Sequence, residues 1–211
     1  MKLLYRIIPL ALAALLLSGC GASSRGEAAA ESEHAAASVS ITSTEDGRAL
    51  LERAFACDLS DAEETKEEMS DRLSLRFTLA EDDMYLVEYG SDQAYPVTLY
   101  HLNHFGQDEG FDLTEESADY FKPELVQTAK DFVQTLYGVN CDNAQISAYG
   151  YANKIAVQLN VAENQAFSVR FYYADTQPSG VLFWNQSGAF ERAMERDGAQ
   201  KYPVAEDAAG T

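Results

Sequence analysis

The sequence predicts an α+β protein made of two related units, each a helix followed by a three- to four-stranded antiparallel meander. Three observations carry that expectation. Apolar residues recur at helical spacing and then at strand spacing in two separate stretches. The second stretch repeats the pattern of the first without a gap, under the constant shift that carries Leu50 onto Phe132 and Leu73 onto Ile155. Turn-forming residues fall in register too, with Pro96 on Pro178, Asn103 on Asn185 and Gly106 on Gly188.

The first unit covers residues 46–122. Its helix is expected over about 46–57, with Leu50, Leu51, Ala54 and Phe55 on one face. The acidic run Ala62–Asp71 reads as helix or loop, which would leave the first sheet with three strands. Leu73, Leu75, Phe77 and Leu79 then alternate, followed by Tyr85, Val87 and Tyr89.

The second unit covers residues 123–203, with a tail at 204–211. Pro123 suits the first turn of a helix, Leu125, Ala129, Phe132, Val133 and Leu136 form one apolar face, and Gly138 is placed to end it. Strands are expected at 144–151, 154–162, 166–175 and 180–186. The alternation of Phe167-Ser168-Val169-Arg170-Phe171 implies one buried face and one less buried. A short helix at 187–197 carries Phe190, Ala193 and Met194 on one side. Helix then meander, twice, looks like the tandem arrangement of PepSY-type and beta-lactamase-inhibitor-like exported proteins, and equally like a pair of cystatin-like units. The likeness is one of topology, and no functional residue is carried over from it.

The N-terminus has a different logic. Lys2 and Arg6 precede an apolar run from Ile7 to Leu17, and no acid occurs before Glu27. A membrane-crossing helix needs about 20 apolar residues, so a basic start and a short apolar run fit a secretory signal peptide instead. Leu17-Ser18-Gly19-Cys20 resembles the bacterial lipobox. The resemblance implies a signal peptide at 1–19, cleavage before Cys20, and multiple acylation of that cysteine. Each buried methylene contributes ~0.8 kcal/mol, so several chains would hold the protein on the outer face of a cell membrane. Residues 20–45, rich in Ala, Ser and Glu, read as the lipidated N-terminus and a flexible spacer, with a reach of ~25–30 Å.

Composition narrows the function. At 46% hydrophobic and 11% aromatic, the remaining chain can build a real core. The net charge is −19, and loss of Lys2 and Arg6 with the signal peptide would leave −21. Such a charge repels phosphate backbones, which argues against nucleic acid as a partner. An exported chain is permitted a disulfide. One between Cys57 and Cys141 would close a loop of about 84 residues; the alternative is a pair of buried thiols.

Catalytic signatures are absent from the sequence: no Gly-x-Ser-x-Gly elbow, no phosphate-binding Gly-x-x-x-x-Gly-Lys loop and no HExxH helix. No cofactor is expected. His101 and His104 are the candidate metal ligands, with Asp108, Glu109 and Asp112 nearby. Three-residue spacing on a strand sends two side chains to opposite faces, so joint ligation requires a turn between them. The stretch 106–119 otherwise reads as an acidic linker. The binding candidates are the residues of the second sheet out of phase with its core: Tyr149, Tyr151, Arg170, Tyr172 and Trp184, with Leu182. An open face of that composition suits recognition; a helix or the other unit covering it is the alternative. The expectation is a membrane-anchored, noncatalytic module binding an envelope protein or a small ligand. The rival is an envelope hydrolase using acids or the His101/His104 region.

Overall fold

A computed structural model describes residues 41–103, 121–151, 154–173 and 175–204. It is an α+β fold built on one nine-stranded antiparallel sheet. In chain order the elements are α1 (Thr44–Phe55), β1 (Glu63–Glu68), β2 (Arg72–Ala80), β3 (Asp83–Gly90), β4 (Thr98–Leu102), α2 (Glu124–Tyr137), β5 (Gln145–Tyr151), β6 (Lys154–Ala162), β7 (Gln165–Tyr172), β8 (Gly180–Trp184), α3 (Ala189–Arg196) and β9 (Gln200–Tyr202). The strands lie in the order β1-β2-β3-β4-β8-β7-β6-β5-β9.

Local chemistry marks the start of α1 and both ends of α2. Asp46 N–H donates to Ser43 Oγ at 3.1 Å and Ser43 N–H returns a bond to Asp46 Oδ2 at 3.0 Å, a reciprocal cap on α1. The helix therefore starts at Thr44, slightly earlier than expected. Ile41, assigned to the spacer, is 4% exposed and belongs to the core. α2 starts after Pro123 and stops at Gly138, whose φ of 68° is left-handed. The Gly138 N–H donates to Gln134 O at 2.8 Å.

α1 packs against β2 and β3, and α2 against β6 and β7. Both serve one core, which takes in Leu51, Leu75, Phe77, Val87 and Leu99 as well as Val133, Val157, Phe167 and Val169. Tyr95, in the β3–β4 connection, reaches into the second half, with its ring 5.1 Å from Tyr137, 5.4 Å from Phe167 and 5.2 Å from Phe183. α3 lies on the opposite face of the sheet, where Phe190 packs with Tyr149 and Ala156.

The acidic run 61–71 departs from expectation. Residues 63–68 form β1, paired with β2 from Glu63↔Thr78 to Glu68↔Leu73. Every residue of β1 is exposed, on both faces, so the strand shows no apolar alternation, and that is why the sequence hid it. The short β9, which pairs with β5, is also outside the expected pattern.

The strand bounds obey a single offset. Glu63, Arg72, Asp83 and Thr98 open β1 to β4, and Gln145, Lys154, Gln165 and Gly180 open β5 to β8, every pair under the same shift that carries Leu50 onto Phe132. The register irregularity between Thr78 and Ala80 recurs between Asn160 and Ala162. Where the halves meet, Thr98 pairs with Leu182, Leu99 with Val181 and Tyr100 with Gly180. That pairing is centred on Leu99 and Val181, which are themselves related by the same shift.

Candidate functional site

The sheet face away from α1 and α2 carries the binding candidates. Strand pairing lines up one row across eight strands: Arg76, Leu86, Tyr100, Gly180, Arg170, Ala156, Tyr149 and Lys201. Gly180 shapes the middle of that row. A Cβ there would sit 2.1 Å from Tyr100 Cδ1, so the tyrosine ring folds over the bare backbone. On the far side of the glycine, the Arg170 guanidinium stands 5.0 Å from the centre of the same ring.

The second half of this face is largely sealed. Tyr149 is 0% exposed beneath α3, edge-on to Phe190 at 5.8 Å. Its hydroxyl donates to Glu195 Oε1 at 3.3 Å. Burial pushes its phenol above the usual range. Tyr172 is buried, with Lys154 Nζ 5.2 Å from its ring centre. Trp184 is half-buried, 5.9 Å from Phe190. Tyr151 ends β5, and its side chain lies outside the described residues. Of the two alternatives for this face, the covering helix is the one found over Tyr149: α3 covers Tyr149 and leans on Trp184, because the alternation that buried one face left a second set of apolar residues for a late helix.

What stays accessible runs over the central strands. Leu86, Tyr100, Arg170, Leu182 and Trp184 are all half-buried, and Glu88 lies beside Thr98 and Leu182 in the neighbouring row. The sequence pattern of the second unit picks out Arg170, Leu182 and Trp184 but not Leu86 and Tyr100 of the first. The phase of β3 and β4, counted from their core residues Val87 and Leu99, would have found both.

The histidine region lies on the other face. His101 Nε2 is 2.9 Å from Asp83 Oδ1, across the β3–β4 pair. The imidazole stacks on the Tyr85 ring at 4.2 Å and 4°, with Phe55 5.6 Å away. In the second half, the positions equivalent to Phe55, Tyr85 and His101 are Tyr137, Phe167 and Phe183, an aromatic core cluster. Those three rings are buried in the core, whereas the His101 and Asp83 side chains are partly exposed. His104 and the acids at 108, 109 and 112 lie outside the described residues. Among the described residues, no group of three or more His, Cys, Asp and Glu converges as a metal site would require.

Cys57 and Cys141 are free thiols. Cys57 Sγ faces Leu51 O at 4.0 Å, whereas Cys141 Sγ faces Val139 O at 3.7 Å. Burial pushes the Cys57 thiol up and the Cys141 thiol up to about 11. Each is therefore protonated near neutrality, the wrong state for a nucleophile. An open groove of about 460 Å³ lies at the β5–β9 end, lined by Ile146, Ser147, Lys201, Tyr202, Pro203 and Val204. It offers no carboxylate, thiol or imidazole.

No family model, curated protein or solved structure matches the chain. Among the described residues no helix is long and apolar enough to cross a membrane.

Proposed function

We propose that this chain is a bacterial lipoprotein, anchored through acylated Cys20 on the outer side of a cell membrane, whose folded part is a noncatalytic binding module. Anchoring rests on the basic start, short apolar run and Leu17-Ser18-Gly19-Cys20 at the N-terminus. Two related units, joined edge to edge through β4 and β8, account for the common offset of four strand pairs and a register irregularity.

The observation that carries binding is the half-buried strip of Leu86, Tyr100, Leu182 and Trp184, apolar and aromatic groups flanked by Arg170 and, across from Leu86, by the exposed Arg76. The partner is an envelope protein or a small ligand meeting that strip. One observation favours the hydrolytic reading: the His101–Asp83 pair at 2.9 Å is the arrangement that orients a general base.

Two measurements test this. Cys20→Ala should release the protein from membranes or stall its processing; unchanged membrane retention removes the anchor. A folded Leu86→Glu, Leu182→Glu variant should lose a partner that the unaltered chain captures from solubilised envelopes. Full retention of that partner rules out the strip, and ester or glycoside hydrolysis abolished by His101→Ala supports the rival.

A further inference from the structure

The two ends of the sheet are finished differently. At one end β5 is closed by β9, with Gly150, Tyr149 and Ala148 pairing antiparallel with Gln200, Lys201 and Tyr202. β1 stands at the other end in the position that β5 occupies in the second half, since Glu63 is the counterpart of Gln145. Among the described residues, no strand pairs with the outer edge of β1. Lys66, Glu67 and Glu68 are the counterparts of Ala148, Tyr149 and Gly150, and mark where a strand equivalent to β9 would sit.

β1 also buries none of its side chains. It is held by its ladder with β2 and by the Arg48–Glu64 ion pair at 3.2 Å. Ordering a strand costs about 1–2 kcal/mol of backbone entropy per residue, and here no apolar burial offsets that cost. A strand added on the free side would, through a second ladder of hydrogen bonds.

We infer that the outer edge of β1 is a strand-addition site for an extended, lysine- or arginine-bearing segment of another polypeptide, running antiparallel to β1 as β9 runs to β5. The charge of the edge chooses the occupant. Glu64 and Glu68 point to one face, where they pair with Arg48 and with Lys66, the single base of the strand, and Glu63 and Glu67 point to the other, where they supply the negative charge of the edge. Opposite charges directly across a ladder stabilise it and like charges destabilise it. The chain's own acidic stretches lack that complementarity in sequence: residues 104–120 contain six acids and no Lys or Arg, and 205–211 contain two acids and no base. The same rule excludes a second copy pairing β1 to β1, which would set Glu against Glu, a common way of protecting an edge from self-association. The net charge of −19 draws a cationic segment in from a distance. This site uses different residues from the Leu86–Leu182 strip and stands or falls separately from it.

The test is binding of a labelled short peptide alternating lysine and valine to the full mature chain at low salt, with amide exchange read on β1. The comparison is the same peptide N-methylated at every amide, equal in charge but unable to build a ladder. The unmethylated peptide should bind and protect β1 amides, and the methylated one should bind at least about tenfold more weakly. Glu67→Lys with Glu68→Lys should weaken binding by a similar factor of about ten, and their exposed side chains leave the fold intact. Equal binding of both peptides would mean charge alone and would overturn the inference. So would absent binding, or protection that appears on β9 instead of β1.

Discussion

Phe190→Ala isolates the attachment of α3. Phe190 is 1% exposed and is the one buried residue of that helix. Truncating a buried phenylalanine to alanine costs about 3–5 kcal/mol. What remains is the partly buried Met194 and a set of polar bonds: Ser147 Oγ donates to Glu191 Oε1 at 3.2 Å, Asn160 Nδ2 donates to the same oxygen, and Tyr149 donates to the exposed Glu195. Such bonds contribute a net ~0.5–1.5 kcal/mol each, so α3 should come away while the core under α1 and α2, on the opposite face, persists. Trp184 reports this cleanly, because it is the single tryptophan and its ring lies 5.9 Å from Phe190. The variant should show red-shifted emission and stronger acrylamide quenching, with far-UV circular dichroism nearly retained; Phe190→Leu should fall between. Unchanged emission would mean α3 does not depend on this side chain. Simultaneous loss of emission and circular dichroism at one lower urea midpoint would mean α3 is integral to the fold, and would equally refute the reasoning.

Gly180→Ala should lower the urea midpoint by the equivalent of about 1–3 kcal/mol. Its Cβ would meet the Leu99 carbonyl oxygen at 2.5 Å, at the β4–β8 junction where the backbone cannot withdraw. Cys141 should confer a pH dependence. Its folded-state pKa is raised to about 11 by burial, so its stabilising contribution is complete below the ordinary thiol range and is lost as pH rises toward 11. Cys57, shifted in the same direction, adds to that loss. Urea titrations from about pH 8 to about pH 11 should therefore show a shallower decline for Cys141→Ala than for the unaltered chain, and parallel declines would count against it.

Residues whose signal is local or periodic were readable from the chain. Leu125 to Leu136 repeat on one helical face between Pro123 and Gly138, and α2 fills the span between those two residues. Val157, Leu159, Phe167 and Val169 alternate, and all four lie in the core facing the long helices. The site was legible only in half. Arg170, Leu182 and Trp184 are out of phase with that core, which alternation alone reveals. Whether such residues stay open depends on what packs over them, and alternation carries no information about that.

The sequence by itself determined the α+β class, the phase of the strands that bury a face, and the constant offset that carries β2, β3 and β4 onto β6, β7 and β8. These depend on spacing along the chain, which the backbone period converts directly into faces. The tertiary structure decided the rest. Residues 63–68 became a strand because β2 offered a free edge, although their own side chains bury nothing. Tyr149 was withdrawn from the surface by Phe190, on a helix that follows three further strands. Asp83 met His101 through the pairing of β3 with β4. In each case the deciding contact joins residues from separate elements, and its energy exists only once both partners are already in place.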